Sequence, residues 1–301
     1  MIRKFGLFCL VAAVGLLPLK SMYVGASVSG VRFVTSLSSG ESVGLLRSVG
    51  GLFFDENRKR LYVSDTSNSR LLSYDAELKF LSALKPEGAL KVPTDLVRTA
   101  DGRFLIVEPD QRALLEIDIL NKTIKPIDFS NVPDSSGLFP DKIEQDSVGN
   151  VYLTDKSQGR ILVFDSHMNF SHTIKPEGIP AVSDIEIDRN DRLYVLNTLA
   201  GRIIKYDRSG KKLLEFGRRG KGKGEFYFPV SLAVDRKGLI HVADQHKHTV
   251  MVFDRDGNFL FDYGKFGWRR GRLAKPSCVY INDAETIFVI DRDNSRISVF
   301  Q

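Results

Sequence analysis

Six times along this chain the same short pattern returns: an apolar strand ending in an acid or its amide, four polar residues, then a second apolar strand. The copies span 61–75, 104–118, 151–165, 193–207, 240–254 and 287–300. Their anchors are Asp65, Glu108, Asp155, Asn197, Asp244 and Asp291, at spacings of 43, 47, 42, 47 and 47 residues. A period in that range marks a repeat architecture, in which each unit hides its apolar faces against its neighbours. The full copy at 228–264 divides into four strands, 231–235, 239–243, 249–253 and 259–263. Lys237-Gly238 and Arg255-Asp256-Gly257-Asn258 supply the turn signals between them. Four short antiparallel strands joined by tight turns make one propeller blade. Runs such as Leu232-Ala233-Val234 are apolar at consecutive positions, as strands covered on both faces are. No segment sustains a helical period, so almost no helix is expected.

The last copy stops one strand short, and 31–37 forms a strand ahead of the first full copy. Pairing the two would close the ring and remove an exposed edge. The expected fold is all-β, a six-bladed β-propeller of four-stranded antiparallel blades, occupying 27–301 as a single domain. Residues 1–26 read as a signal peptide. Arg3-Lys4 is basic, 5–19 is an uncharged apolar run, and Val24-Gly25-Ala26 offers the small residues of a cleavage site. A retained anchor through 5–19 is the alternative, although the run falls short of the roughly 20 residues of a membrane span. No Leu-x-x-Cys box accompanies Cys9. A periplasmic or secreted, monomeric protein is expected. Without Arg3, Lys4 and Lys20 the net charge drops from +6 to +3, too mild a surplus for nucleic acid. Cys278 is then the lone cysteine, which excludes a disulfide framework and a Cys-x-x-Cys metal or haem site.

The stretch from Phe216 to Pro229, with 231–235 and Val242-Ala243-Asp244 behind it, resembles the NHL repeat, as does Val63-Ser-Asp-Thr-Ser-Asn-Ser-Arg70. The second copy departs with Glu108-Pro109 and an early Arg112, the fourth with Asn197 and no turn Asn. The resemblance covers about 31–301 and implies a six-bladed propeller. NHL-type propellers include protein-binding modules, RNA-binding modules and a few metal-dependent lyases, so it fixes no activity.

Four features offer chemistry. The loops after each second strand emerge on one face, where ligand sites usually lie. The acid at each strand end is a carboxylate crown for a cation or a cap for the turn that follows. Arg70, Arg160, Arg202 and Arg296, each five residues past an anchor, form a ring for acidic ligands or salt bridges to the repeat's own acids. A third feature breaks the repeat. The innermost strands begin with Gly51, Asp95, Lys142, Asp184, Ser231 and Cys278, and two residues later carry Phe53, Val97, Glu144, Glu186, Ala233 and Tyr280. Asp95, Lys142, Glu144, Asp184 and Glu186 thereby cluster near the axis as a ligand or metal site, or as a solvated and paired group. Fourth, His246 and His248 could hold a metal through two imidazoles, though the NHL pattern itself commonly has His at the place of His248. Arg218, Arg219, Trp268 and Arg269 lie in two basic linkers that could touch an anionic partner.

These features lead to the expectation of an exported, non-catalytic binding or scaffold module for a protein or polysaccharide of the cell envelope, without a cofactor. The alternative is a metal-dependent lyase or lactonase with one divalent metal on the axis, using Glu144, Glu186 and His246 for acid–base work and Asp95, Glu144, Asp184, Glu186, His246 or His248 as ligands. A third reading, RNA binding, requires that 1–26 not be a signal.

Overall fold

The computed structural model describes residues 30–178 and 181–301. The export signal or anchor expected at 1–26 lies outside the described residues. Among the described residues no helix is long and apolar enough to cross a membrane, and the helical content is three single 3-10 turns, Thr66–Asn68, Pro109–Gln111 and Arg292–Asn294.

The strands form six four-stranded antiparallel sheets. These are the blades, at 49–84, 95–126, 140–174, 184–216, 229–263 and 276–300. Phe33–Ser38 pairs with Arg296–Phe300 and completes the sixth, with Phe33 opposite Phe300, a register shift between Phe33 and Thr35, and continuous pairing from Thr35 opposite Val299 to Ser38 opposite Arg296. Arg32 and Gln301 continue the ladder with reciprocal backbone hydrogen bonds of 2.8 and 2.9 Å. Closure by the N-terminal strand is thus as the sequence predicts.

The second and third strands of the blades bury most of their side chains on both faces, because each blade is sandwiched between two others. Tyr194, Leu196 and Ile203 of blade 4 pack on Leu232, Val242 and Met251 of blade 5, and one core joins blade 6, the closing strand and blade 1. The antiparallel order fixes two faces. The loops after the second strands occupy one, here the loop face. The turns between first and second strands occupy the opposite one, the turn face.

On the loop face the repeated acid is a cap. Asp65, Glu108, Asp155, Asp244 and Asp291 are wholly buried. Glu108 accepts the N–H groups of Lys91 and Val92, and Asp244 those of Tyr227, Phe228 and Lys247. Asp155, Asp244 and Asp291 so stitch the linker from the preceding blade to their own loops, whereas Asp65 accepts from the Asn68 and Arg70 side chains. No crown of open carboxylates forms there.

Candidate functional site

The innermost strand of each blade is a sheet edge, so some of its backbone N–H groups face the axis without a ladder partner. Polar residues of the neighbouring blade satisfy them. Ile143 donates to Asp95 Oδ2 at 3.2 Å, Leu232 to Asp184 Oδ2 at 2.9 Å and Val279 to Ser231 Oγ at 3.2 Å. This explains why short polar residues stand first on these strands, and it gives Asp95 and Asp184 an architectural task.

Between them stands Lys142, with Nζ 3.8 Å from Asp184 Oδ1. Burial pulls its pKa down, but the carboxylates of Asp184 and Asp95 outweigh that and hold it charged. Burial pushes Asp95 up to about 6 against the pull of Lys142, and raises Asp184 as well. Cys278 belongs to the same layer, where burial lifts its thiol to about 12 and leaves it unreactive.

One step toward the turn face lies a second layer formed by Glu144, Glu186 and Tyr280. Glu186 Oε1 accepts the N–H of Val234 at 3.3 Å. Glu144 accepts no hydrogen bond among the described residues. Burial raises both carboxyls, and Glu144 is raised further by the charge of Glu186. Tyr280 is likewise held neutral by burial, with Glu144 and Glu186 adding to the effect. Its hydroxyl approaches the Phe54 carbonyl at 3.5 Å.

These side chains line a cavity of about 220 Å³ whose wall runs from Asp95 past Glu144, Glu186 and Tyr280 to Arg189 and Asp283. It opens on the turn face, opposite to the loop face on which a ligand site was expected. The ions of the first layer plug the loop end of the channel. At the mouth, Arg189 of blade 4 forms an ion pair with Asp283 of blade 6, reaching past blade 5. Arg236 Nη1 donates to the Asp283 carbonyl at 2.9 Å, and the Asp283 N–H donates to Glu56 Oε1 at 2.6 Å.

The structure therefore unites Asp95, Lys142, Glu144, Asp184 and Glu186 as the sequence suggests, and separates the other candidates from them. His246 stacks on Phe228 with ring centroids 4.5 Å apart. His248 Nδ1 accepts the Lys275 N–H at 3.0 Å. Both lie past the end of a second strand on the loop face, one strand out from the axis, so neither can act as acid, base or axial ligand there. Arg70, Arg160 and Arg296 place Nε on their own repeat acids at 2.7, 2.9 and 2.8 Å. Their remaining donors reach linker carbonyls, among them Val43, Pro133 and Arg269. Arg202, whose anchor is the amide Asn197, turns instead to Glu215 at 2.7 Å. Arg218 pairs with Glu225 at 2.8 Å, Arg219 reaches the Leu199 carbonyl, and Trp268 and Arg269 are exposed. Tyr280, Arg189 and Asp283 carried no sequence signal as site residues. An aromatic on an innermost strand reads as core, and the mouth pair is 94 positions apart.

Among the described residues no group of three or more His, Cys, Asp or Glu is arranged as a metal cage. The donor chemistry nonetheless fits a hard, largely hydrated divalent cation. Two neighbouring carboxyls face the cavity, and one of them lacks a hydrogen-bond partner among the described residues. Magnesium-like ions are commonly held by one or two carboxylates, with water or substrate completing the shell.

A sequence family described as a 6-bladed beta-propeller matches residues 179–264. No curated protein matches the chain. Solved structures match over most of its length. Virginiamycin B lyase from Staphylococcus aureus is 12% identical, with 87% of this chain and 82% of that one covered and a TM-score of 0.61. A gluconolactonase from Xanthomonas campestris is 17% identical, with 84% and 85% covered and a TM-score of 0.63. The calcium-binding protein regucalcin from Agrobacterium tumefaciens is 15% identical, with 89% and 93% covered and a TM-score of 0.64. At these identities the likeness establishes the fold. It also corrects three expectations. The NHL expectation is corrected, because the solved propellers that match are described as a lyase, a gluconolactonase and regucalcin rather than as NHL repeats. The solved propellers of like fold include a lyase and a gluconolactonase, so the architecture no longer favours the non-catalytic scaffold over its alternative. The expectation of no cofactor likewise loses its ground, because a propeller of like fold is described as calcium-binding and the Glu144–Glu186 pair offers two carboxyls to a hard cation.

Proposed function

We propose that this chain is an enzyme that cleaves a small oxygen ester or lactone, by hydrolysis or elimination, in the axial cavity. The observation that carries this reading is the raised Glu144–Glu186 pair facing the Tyr280 hydroxyl inside a solvent-reaching cavity. The lyase, gluconolactonase and calcium-binding propellers of like fold support it.

Two close carboxyls in a poorly solvated site retain a proton between them, which provides one acid and one base near neutral pH. Glu186, whose carboxylate form is favoured by the Val234 N–H, takes the proton from water or from a carbon beside the carbonyl. Glu144, which accepts no hydrogen bond among the described residues and is raised further by the charge of Glu186, holds the shared proton and gives it to the departing oxygen. Tyr280 stays neutral and donates a hydrogen bond to the carbonyl oxygen as charge builds there. The mouth pair of Arg189 and Asp283 restricts entry to small molecules. Glu144 and Glu186 are also the residues that would hold a hard divalent cation, which when bound supplies a Lewis acid.

The test is an assay of gluconolactone and an aryl acetate with and without divalent salt, for the wild type, Glu144→Gln and Glu186→Gln. Turnover that falls by about 10²-fold or more in either variant is expected, with melting unimpaired. Equal rates in the variants, or a folded wild type inert toward both substrates with every metal, would overturn the reading.

A further inference from the structure

The positive charge of this molecule is concentrated in one place. The linkers 217–228 and 264–275, which lead into blades 5 and 6, carry Arg218, Arg219, Lys221, Lys223, Lys265, Arg269, Arg270, Arg272 and Lys275. Against these nine bases stands one acid, Glu225. That surplus of eight exceeds the net +6 of the whole chain, so the rest of the molecule is slightly acidic. The equivalent linker before blade 3, at 127–139, has only Asp128 and Asp134 as charged residues. A generic repeat feature would not be so uneven.

All nine basic side chains are exposed. Arg218 pairs with Glu225 and Lys275 with Asp293; the other seven form no ion pair among the described residues. The linkers are firmly seated, since Phe226 and Leu273 anchor them at 0% exposure. They also join into one surface. Lys247 of the blade 5 loop donates to the Gly222 carbonyl at 2.7 Å, and its neighbour His248 packs on Phe266 at 4.7 Å. Large apolar side chains stand among the charges. Trp268 is 64% exposed, Phe266 58%, and Leu199, whose carbonyl accepts from Arg219, 62%.

We infer that this rim is a docking surface for anionic lipid membranes. Basic side chains gain from the negative surface of a leaflet, by about fivefold in partitioning for each one near it. Exposed Trp, Phe and Leu among them suit the interface between headgroups and acyl chains. A soluble polyanion would use the charges and leave the three apolar tips in water, which favours the membrane as occupant. The inference is independent of the proposed chemistry, because the cavity opens on the turn face and the linkers bond to the loops of the other face.

The test is sedimentation of the full chain with vesicles of phosphatidylcholine alone and of equal parts phosphatidylcholine and phosphatidylglycerol, at low and high salt. The neutral vesicles measure whatever the apolar run at 5–19 contributes. The wild type should be enriched on the anionic vesicles, with the enrichment falling in high salt. Arg269→Glu with Arg270→Glu should cut it by about 20-fold or more. Trp268→Ser should weaken binding to anionic vesicles with its salt dependence kept. Melting curves verify that the variants fold. Equal binding to both vesicles, or full enrichment in the charge-reversed variant, would overturn the inference. Salt-sensitive binding to dextran sulfate without vesicle enrichment would overturn it too, and would assign the rim to an anionic polysaccharide.

Discussion

Arg160 and Arg202 occupy the same place in the repeat and do different work. Arg160 is 2% exposed, with Nε on Asp155 and both remaining nitrogens on carbonyls of the preceding linker. Removing it strands a buried carboxylate, so Arg160→Ala should cost about 3–5 kcal/mol in denaturant unfolding. Arg202 faces Glu215 in the open, so Arg202→Ala should cost about 1 kcal/mol or less. Equal losses would show that the buried acid finds another partner. At the axis the sign reverses, because ionisation there is unfavourable. Glu144 and Glu186 face each other, Asp95, Asp184, Asp188 and Tyr280; Lys142 is the cation that acts on Glu144, and Arg189 and Arg236 stand farther off at the mouth. Both titrate above their ordinary value of 4.5 in the folded chain. Between that value and the folded pKa the native state holds more protons than the unfolded one. The stability from these carboxyls is therefore full below pH 4.5 and is lost as pH rises through the folded values. In chelator, Glu144→Gln should flatten this decline and raise the melting temperature at pH 8 relative to the wild type. A variant with the same slope as the wild type would remove the pair as its source.

Elements reveal why the sequence disclosed the scaffold and only part of the site. The cap at the second strand recurs because every blade must seat a linker on a loop, and that local chemistry is visible as Asp65, Asp155, Asp244 and Asp291. The innermost strands are read across blades, so Glu144 and Glu186 stood out as departures from the repeat. Which end of the channel is open depends on how six separate strands pack around the axis. Asp95, Lys142 and Asp184 close the loop end, and no single repeat predicts that. Gly51 belongs to the same packing. A Cβ there would lie 2.5 Å from Asp95 Oδ1 and 2.9 Å from Asp95 Cα, so Gly51→Ala should push blades 1 and 2 apart at a cost of about 1–3 kcal/mol. The closing strand was legible because a missing strand at one terminus matched a surplus at the other. A chain beginning at Ser38 loses nearly all of that ladder and uncovers the edge at Arg296–Phe300. It should be less stable than a chain beginning at Ser27 by several kcal/mol, at about 1 per ladder hydrogen bond. Identical melts would mean that the sixth blade holds with three strands.

The whole molecule combines a ring that cannot relax locally with an axis on which like charges are held together. Every blade is fixed by two neighbours, so Glu144 and Glu186 cannot drift apart to relieve their repulsion. Protons and a divalent cation are two ways of relieving it, and they compete for the same oxygens. Cation affinity should therefore rise with pH as the retained proton becomes easier to displace. A ligand that binds only the folded ring stabilises it by about 2.7 kcal/mol at a hundred times its dissociation constant. Calcium or magnesium should accordingly raise the melting temperature more at pH 8 than at pH 5.5. The combined variant Glu144→Gln with Glu186→Gln should melt alike with and without the salt at both values. An equal rise in wild type and variant would place the ion elsewhere on the ring. A wild type unmoved by either cation at pH 8 would leave proton transfer by the carboxyls themselves as the chemistry of the axis.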